Sequence, residues 1–193
     1  MLMESACMAE RHSPLATHYA RGLHGCPGEP GVRLLEVPEL TLYQVATWPE
    51  TLPQAGAFVA QCIGAGVAPA SGETVIGTKG SALRVEPLKW WILDTPIPAL
   101  PAETGATLDL SHSRSRIRVQ GSEAATCLNR LAPIDLRDGS FAVGRVASSG
   151  IHHVGVTIWR SAAGYELFLP RGFALSLWEI LTETAEQFGL EIT

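Results

Sequence analysis

The chain has 193 residues, 46% of them apolar and 17% charged, with a formal net charge of −5. Surface scaling leaves roughly 9,000 Å² exposed out of about 30,000 Å² in the unfolded chain, enough burial for a core without disulfides or metals. This excludes a wholly disordered chain and, with no run near the roughly 20 apolar residues of a spanning helix, a helical membrane protein; the acidic balance argues against general nucleic-acid binding.

Of the 14 basic residues only Lys79 and Lys89 are lysines. The cysteines Cys7, Cys26, Cys62 and Cys127 are separated by 19, 36 and 65 residues, so neither zinc-finger spacing nor a disulfide scaffold is present. The start, Met1 to Met8, lacks a basic stretch followed by an apolar one, so no secretory signal is read and a reducing cytoplasm is expected.

Eleven of the 13 prolines precede residue 102. Residues 1–32, with Pro14, Pro27, Pro30 and four glycines but no apolar periodicity, read as an irregular arm ordered by a partner. Val32–Val37 and Leu40–Val45 have strand character. From Thr51 to Gly64, the residues Ala55, Phe58, Val59, Cys62 and Ile63 recur at i, i+3, i+4, i+7 and i+8, one face of a helix that Gly64 ends. Residues 73–78, 82–85 and 88–93 read as strands turning at Gly80 and Pro87. Residues 94–105, with three prolines, form a connector that neither helix nor central strand tolerates. It separates a first segment, 33–93, from a second, 106–193, although 33–193 is expected to pack as one unit.

In the second segment Leu108–Ser111 and Ser113–Val119 read as strands, and a helix starts at Gly121-Ser122 with Ser122 as N-cap. Residues 151–159 and 165–169 form a hairpin. A last helix, about 172–188, buries Phe173, Leu177, Trp178, Leu181, Ala185 and Phe188, and Leu190–Ile192 returns as a strand. Helices alternating with antiparallel strands, without a βαβ series, give an α+β class with two small subdomains.

Most chemical constellations fail. Gly64-Ala-Gly66 lacks the third glycine of a dinucleotide loop and follows a helix, and there is no nucleophile elbow or phosphate loop. His152 and His153, read on a strand, point to opposite faces and cannot share a metal. His112 lies beside Asp109 without a nucleophile. No catalytic, cofactor-binding or metal-binding residue is assigned. Arg114, Arg116 and Arg118 alternate onto one face of a strand, and three like charges there need local carboxylates, water, a partner surface or an anion. Trp90 and Trp91 point opposite ways: either one faces an interface, or both are covered by two layers. These five residues are the candidate partner interface.

Leu108-Asp-Leu-Ser-His112, Arg116–Gly121, Ala125–Leu131 and Ile134-Asp-Leu136 resemble the aminomethyltransferase (glycine-cleavage T-protein) superfamily. Pro133–Leu136, Phe141–Gly144, Tyr165–Leu169 and Arg171-Gly-Phe-Ala-Leu-Ser-Leu-Trp178 resemble the gamma-subunit family of heterotetrameric sarcosine oxidases, over about residues 33–192. The resemblance implies a chain without its own active site that docks on an alpha subunit within an assembly holding beta and delta subunits. It implies FAD, FMN, NAD and tetrahydrofolate on the partner chains, and oxidative demethylation of sarcosine or a similar N-methyl amine. Gamma-like chains of related dehydrogenases or demethylases, and a free-standing folate-binding protein, are the alternatives.

Overall fold

Strands in the computed structural model, which describes residues 12–193, fall into two sheets. In chain order the elements are β1 (Gly22–His24), β2 (Val32–Val37), β3 (Leu42–Thr47), α1 (Leu52–Ile63), β4 (Thr74–Ile76), β5 (Ser81–Glu86), β6 (Lys89–Leu93) and β7 (Gly105–Asp109). They continue with β8 (Arg114–Gln120), α2 (Ala124–Asn129), β9 (Val146–Ile151), β10 (Val154–Ser161), β11 (Gly164–Pro170), α3 (Ala174–Glu186) and β12 (Leu190–Ile192). The larger sheet runs β1-β12-β2-β8-β11-β10-β9 and the smaller β4-β5-β6-β3-β7. Pairing is antiparallel except between β12 and β2, which are parallel. The fold is α+β, as expected.

Four layers result. Helices α2 and α3 cover one face of the large sheet through Cys127, Leu128, Leu177, Trp178 and Leu181. Its other face meets the small sheet through Phe168, Trp159 and Val146 against Leu42, Leu83, Trp91 and Leu93. The small sheet's far face carries α1, whose Ala55, Val59, Cys62 and Ile63 are buried in the expected phase. Gly64 ends α1 at φ +69°, and an added Cβ would meet Thr78 Oγ1 at 2.3 Å, so the turn requires glycine.

The sheets cut across the two segments read from the sequence. Strand β2 joins the large sheet, because Val32 and Leu34 continue the apolar face of β8, Leu34 standing opposite Val119. Strand β7 returns to the small sheet beside β3, so the Pro-rich stretch is a crossing from β6 to β7 around one shared neighbour. Strand β9 was not foreseen; Ala147, Ser148, Ser149 and Gly150 give it little apolar signal.

Residues 12–31 differ from the expected partner-held arm, because this chain's own surface holds them. Leu15 is fully buried in the core beneath α3. The Tyr19 ring stacks on Trp178 at 5.2 Å, and its hydroxyl donates to the Thr193 carbonyl at 2.7 Å while accepting the Glu36 N–H at 2.8 Å. Strand β1 pairs with β12. The arm's first part, Cys7 included, lies outside the described residues.

Three local expectations are corrected. Ser122 does not cap α2; the N-cap position is Glu123, whose N–H instead bonds the Gly31 carbonyl at 3.0 Å. Phe173 is 53% exposed, because residues 171–173 form a 3-10 turn that puts it out of phase with α3. His152 and His153 are the turn joining β9 to β10, not strand residues, with φ of 45° and 66°. A two-residue hairpin needs φ > 0 at both central positions, which histidine accepts at a cost that asparagine and glycine avoid.

Candidate functional site

Strand alternation aims Arg114, Arg116 and Arg118 at the space between the sheets. The neighbouring β11 places Glu166 opposite Arg118 and Phe168 opposite Arg116. Glu166 is fully buried in an otherwise apolar strand. Arg116 Nε donates to its Oε2 at 2.8 Å, Arg118 Nε to its Oε1 at 2.6 Å, and Ser161 Oγ to the same Oε1 at 3.1 Å. Arg116, itself 7% exposed, lies 3.8 Å from Asp94 and 5.7 Å from the ring centroids of both Trp159 and Phe168. One carboxylate therefore separates two guanidiniums that would otherwise repel, and charge-assisted hydrogen bonds of this kind exceed neutral ones in strength. Arg116 and Arg118 are thus directed to the inside of the chain, the local-carboxylate arrangement rather than a free docking array.

Arg114 differs. It is half-buried, burial lowers its guanidinium pKa, and it donates to the Ser113 carbonyl at 3.2 Å beside the Trp91 ring at 5.8 Å. It lines a cleft of about 610 Å³ together with Glu36, Glu39, Tyr43, Asp109 and His112. The lining mixes both charge signs, and His112 is exposed there.

Neither tryptophan reaches the surface, which corrects the interface reading of the pair. Trp90 is 1% exposed, in the core under α1 with Val45, Val59 and Ile63, and the Arg84 guanidinium lies 4.9 Å from its ring. Trp91 is 5% exposed between the sheets, its ring edge-on to Phe168 at 5.7 Å and its Nε1–H donating to Gln44 Oε1 at 3.3 Å. They do point opposite ways, but each direction meets a layer of the same chain.

The two buried thiols are poor nucleophiles. Burial pushes Cys62 up and Cys127 up to about 11, so both stay protonated near neutrality, while Cys26 is exposed. Among the described residues no group of three or more His, Cys, Asp or Glu side chains is placed to hold a metal. The residue that sequence reading missed is Glu166. Its signal was a lone carboxylate inside Tyr165–Leu169, a strand apolar on both faces, where a charge requires a partner.

No family model matches the chain. The glycine cleavage system aminomethyltransferase T of Bartonella henselae is a structural neighbour with a TM-score of 0.61 and 16% identity, covering 85% of this chain and 48% of that one. The four-layer architecture is therefore an aminomethyltransferase-like fold, carried here by a chain matching about half of that enzyme. The sarcosine oxidase subunit gamma of Corynebacterium sp. (strain U-96) is 31% identical over 172 residues, 83% of this chain and 82% of the relative. A chain in the structure of the heterotetrameric sarcosine oxidase from Corynebacterium sp. U-96, in complex with pyrrole 2-carboxylate, aligns with a TM-score of 0.78 and 25% identity over 92% of this chain and 96% of its own length. The chain belongs to the sarcosine oxidase gamma-subunit family.

Proposed function

We propose that this chain is the non-catalytic gamma subunit of a heterotetrameric flavoenzyme that oxidatively demethylates sarcosine, or a similar N-methyl amine, and passes the one-carbon unit to tetrahydrofolate. The observation carrying this reading is the two-way match: 92% of this chain aligns with 96% of a chain from such a heterotetramer. In this reading the larger chains hold FAD, FMN, NAD and tetrahydrofolate. The chain contacts the alpha subunit directly, stabilises it and helps to close its folate chamber, with beta and delta subunits completing the assembly. No helix among the described residues is long and apolar enough to cross a membrane.

A pull-down of the tagged chain from its native host, with masses and a visible spectrum of what it captures, tests the reading. Larger chains with a yellow flavin spectrum are expected. A colourless chain recovered alone, from cells that express the larger chains, overturns it.

A further inference from the structure

The two edges of the small sheet are treated differently. At β4 the edge is closed: Glu73 bridges to Arg145, and Thr74 N–H donates to the Gly144 carbonyl of the strip leading into β9. At β7 it is open. Its five residues, Gly-Ala-Thr-Leu-Asp, are exposed or half-exposed, and the register with β3 runs unbroken from Tyr43 opposite Asp109 to Thr47 opposite Gly105. Natural edge strands are blunted by lysine, proline, bulges or cover, and among the described residues Gly105–Leu108 have none of these.

Hydrogen-bond alternation shows which groups face outward. Thr47 N–H bonds the Leu88 carbonyl and Leu110 N–H bonds the Leu42 carbonyl, so odd residues of β3 bond β6 and even residues bond β7. The even residues of β7 are thus bonded inward, and the N–H and C=O of Thr107 point away from the sheet. The same end is apolar. Cross-strand rows Lys89–Ala46–Ala106 and Trp91–Gln44–Leu108 lie on the face that meets the large sheet. The large sheet covers Trp91 but leaves Leu108 54% exposed, and Trp48, at the end of β3, is 60% exposed. Trp48, Pro49, Pro87 and Leu88 line an adjoining apolar hollow of about 380 Å³. At the rim Lys89 and Glu86 neutralise each other at 2.8 Å and Arg84 is turned onto Trp90 and the Pro87 carbonyl, so the remaining charge is acidic: exposed Glu50 and Glu103, next to Thr51 and Thr104, where the Thr51 hydroxyl donates to the Thr104 carbonyl at 2.8 Å.

We infer that β7 and the Trp48 hollow form a docking edge for an extended segment of a different, larger subunit, which adds to the small sheet as a sixth strand with an apolar side chain over Leu108 and Arg or Lys at its flanks. Main-chain pairing supplies affinity, and the hollow and acidic rim supply selectivity. A second copy of this chain fits poorly, because antiparallel β7–β7 pairing about Thr107 sets Asp109 of one copy against Gly105 of the other and brings Glu103 beside it, acid against acid. The single-chain aminomethyltransferase carries about as much chain again beyond the part matched here, so completion of such a fold by further polypeptide has a structural counterpart.

This inference rests on the subunit reading, and its test separates the two. Thr107→Pro removes an outward N–H at a position where an edge strand tolerates proline, Leu108→Lys changes an exposed side chain, and Val67→Lys, at another exposed apolar position, is the control. The full chain is titrated against the larger subunits purified without it, with hydrogen exchange read at residues 105–109. Both edge variants are expected to weaken assembly at least tenfold while Val67→Lys does not, and amide exchange at Thr107 should slow in the wild-type complex. If Thr107→Pro lowers the melting temperature of the free chain, Leu108→Lys and the exchange data decide. A wild-type chain that binds no larger subunit removes the subunit reading and this inference with it. Wild-type assembly with unchanged variants, unchanged exchange, or a homodimer broken by Leu108→Lys overturns the docking edge alone.

Discussion

The two faces of the large sheet are both buried, by different means. The face under α2 and α3 is mainly hydrocarbon: Ile117 and Val119 from β8, Leu167 and Leu169 from β11, and Ile158 from β10. The opposite face has aromatic cover at Phe168 and Trp159, but toward β8 it becomes Arg116, Arg118, Glu166 and Ser161. A helix pair lays an apolar stripe along a sheet. A second sheet meets it over a narrower zone, and long guanidinium stems then fill the margin while their charges need balancing. The lesson is that a row of arginines on a strand can be an internal device, provided the neighbouring strand carries a carboxylate in register.

The largest expected effect breaks that device. Glu166→Ala leaves two guanidiniums without their carboxylate and should cost about 3–5 kcal/mol by denaturant melting, whereas replacing Arg116, Arg118 and Glu166 together by Met, Met and Leu should come close to neutral. A single-variant cost in the surface range, about 0.5 kcal/mol, would mean that the cluster is effectively solvated. On the hydrocarbon face, Leu177→Ala should cost about 2–5 kcal/mol through lost apolar burial and the cavity left behind, with no triple variant that rescues it.

A smaller effect comes with pH. The Cys127 thiol, on the helix-covered face, is raised by burial to about 11. A raised thiol contributes fully below its unfolded pKa of about 8.5, and that contribution is lost as pH climbs through the folded value. Melting at pH 7, 9 and 11 should therefore show stability falling in the alkaline range, and Cys127→Ala should flatten the fall. Thiol labelling at neutral pH should mark Cys26 at once, and Cys62 and Cys127 only on unfolding. The smallest effect lies at the hairpin tip, where replacing His152-His153 by Asn-Gly should stabilise by about 1 kcal/mol, since both positions hold φ > 0.

Much of this was legible in the sequence where periodicity carries the signal. The phase of α1, the alternation of Arg114, Arg116 and Arg118, and the opposed directions of Trp90 and Trp91 all follow from spacing. Alternation tells a strand its faces but not its sheet, so the exchange of β2 and β7 between sheets could not be read. Residues 12–31 carry no period, and Leu15 and Tyr19 reach their partners through contacts distant in sequence. The pairing of Glu166 with two arginines depends on the β8–β11 register, set by tertiary structure across some 50 residues.

The most direct measurement expresses the larger subunits with and without this chain and determines the composition and N-methyl amine oxidation of what assembles. With it, a stable complex containing one copy of this chain is predicted; without it, the larger chains should assemble incompletely and lose activity. A complete and fully active complex formed in its absence would contradict the assembly role.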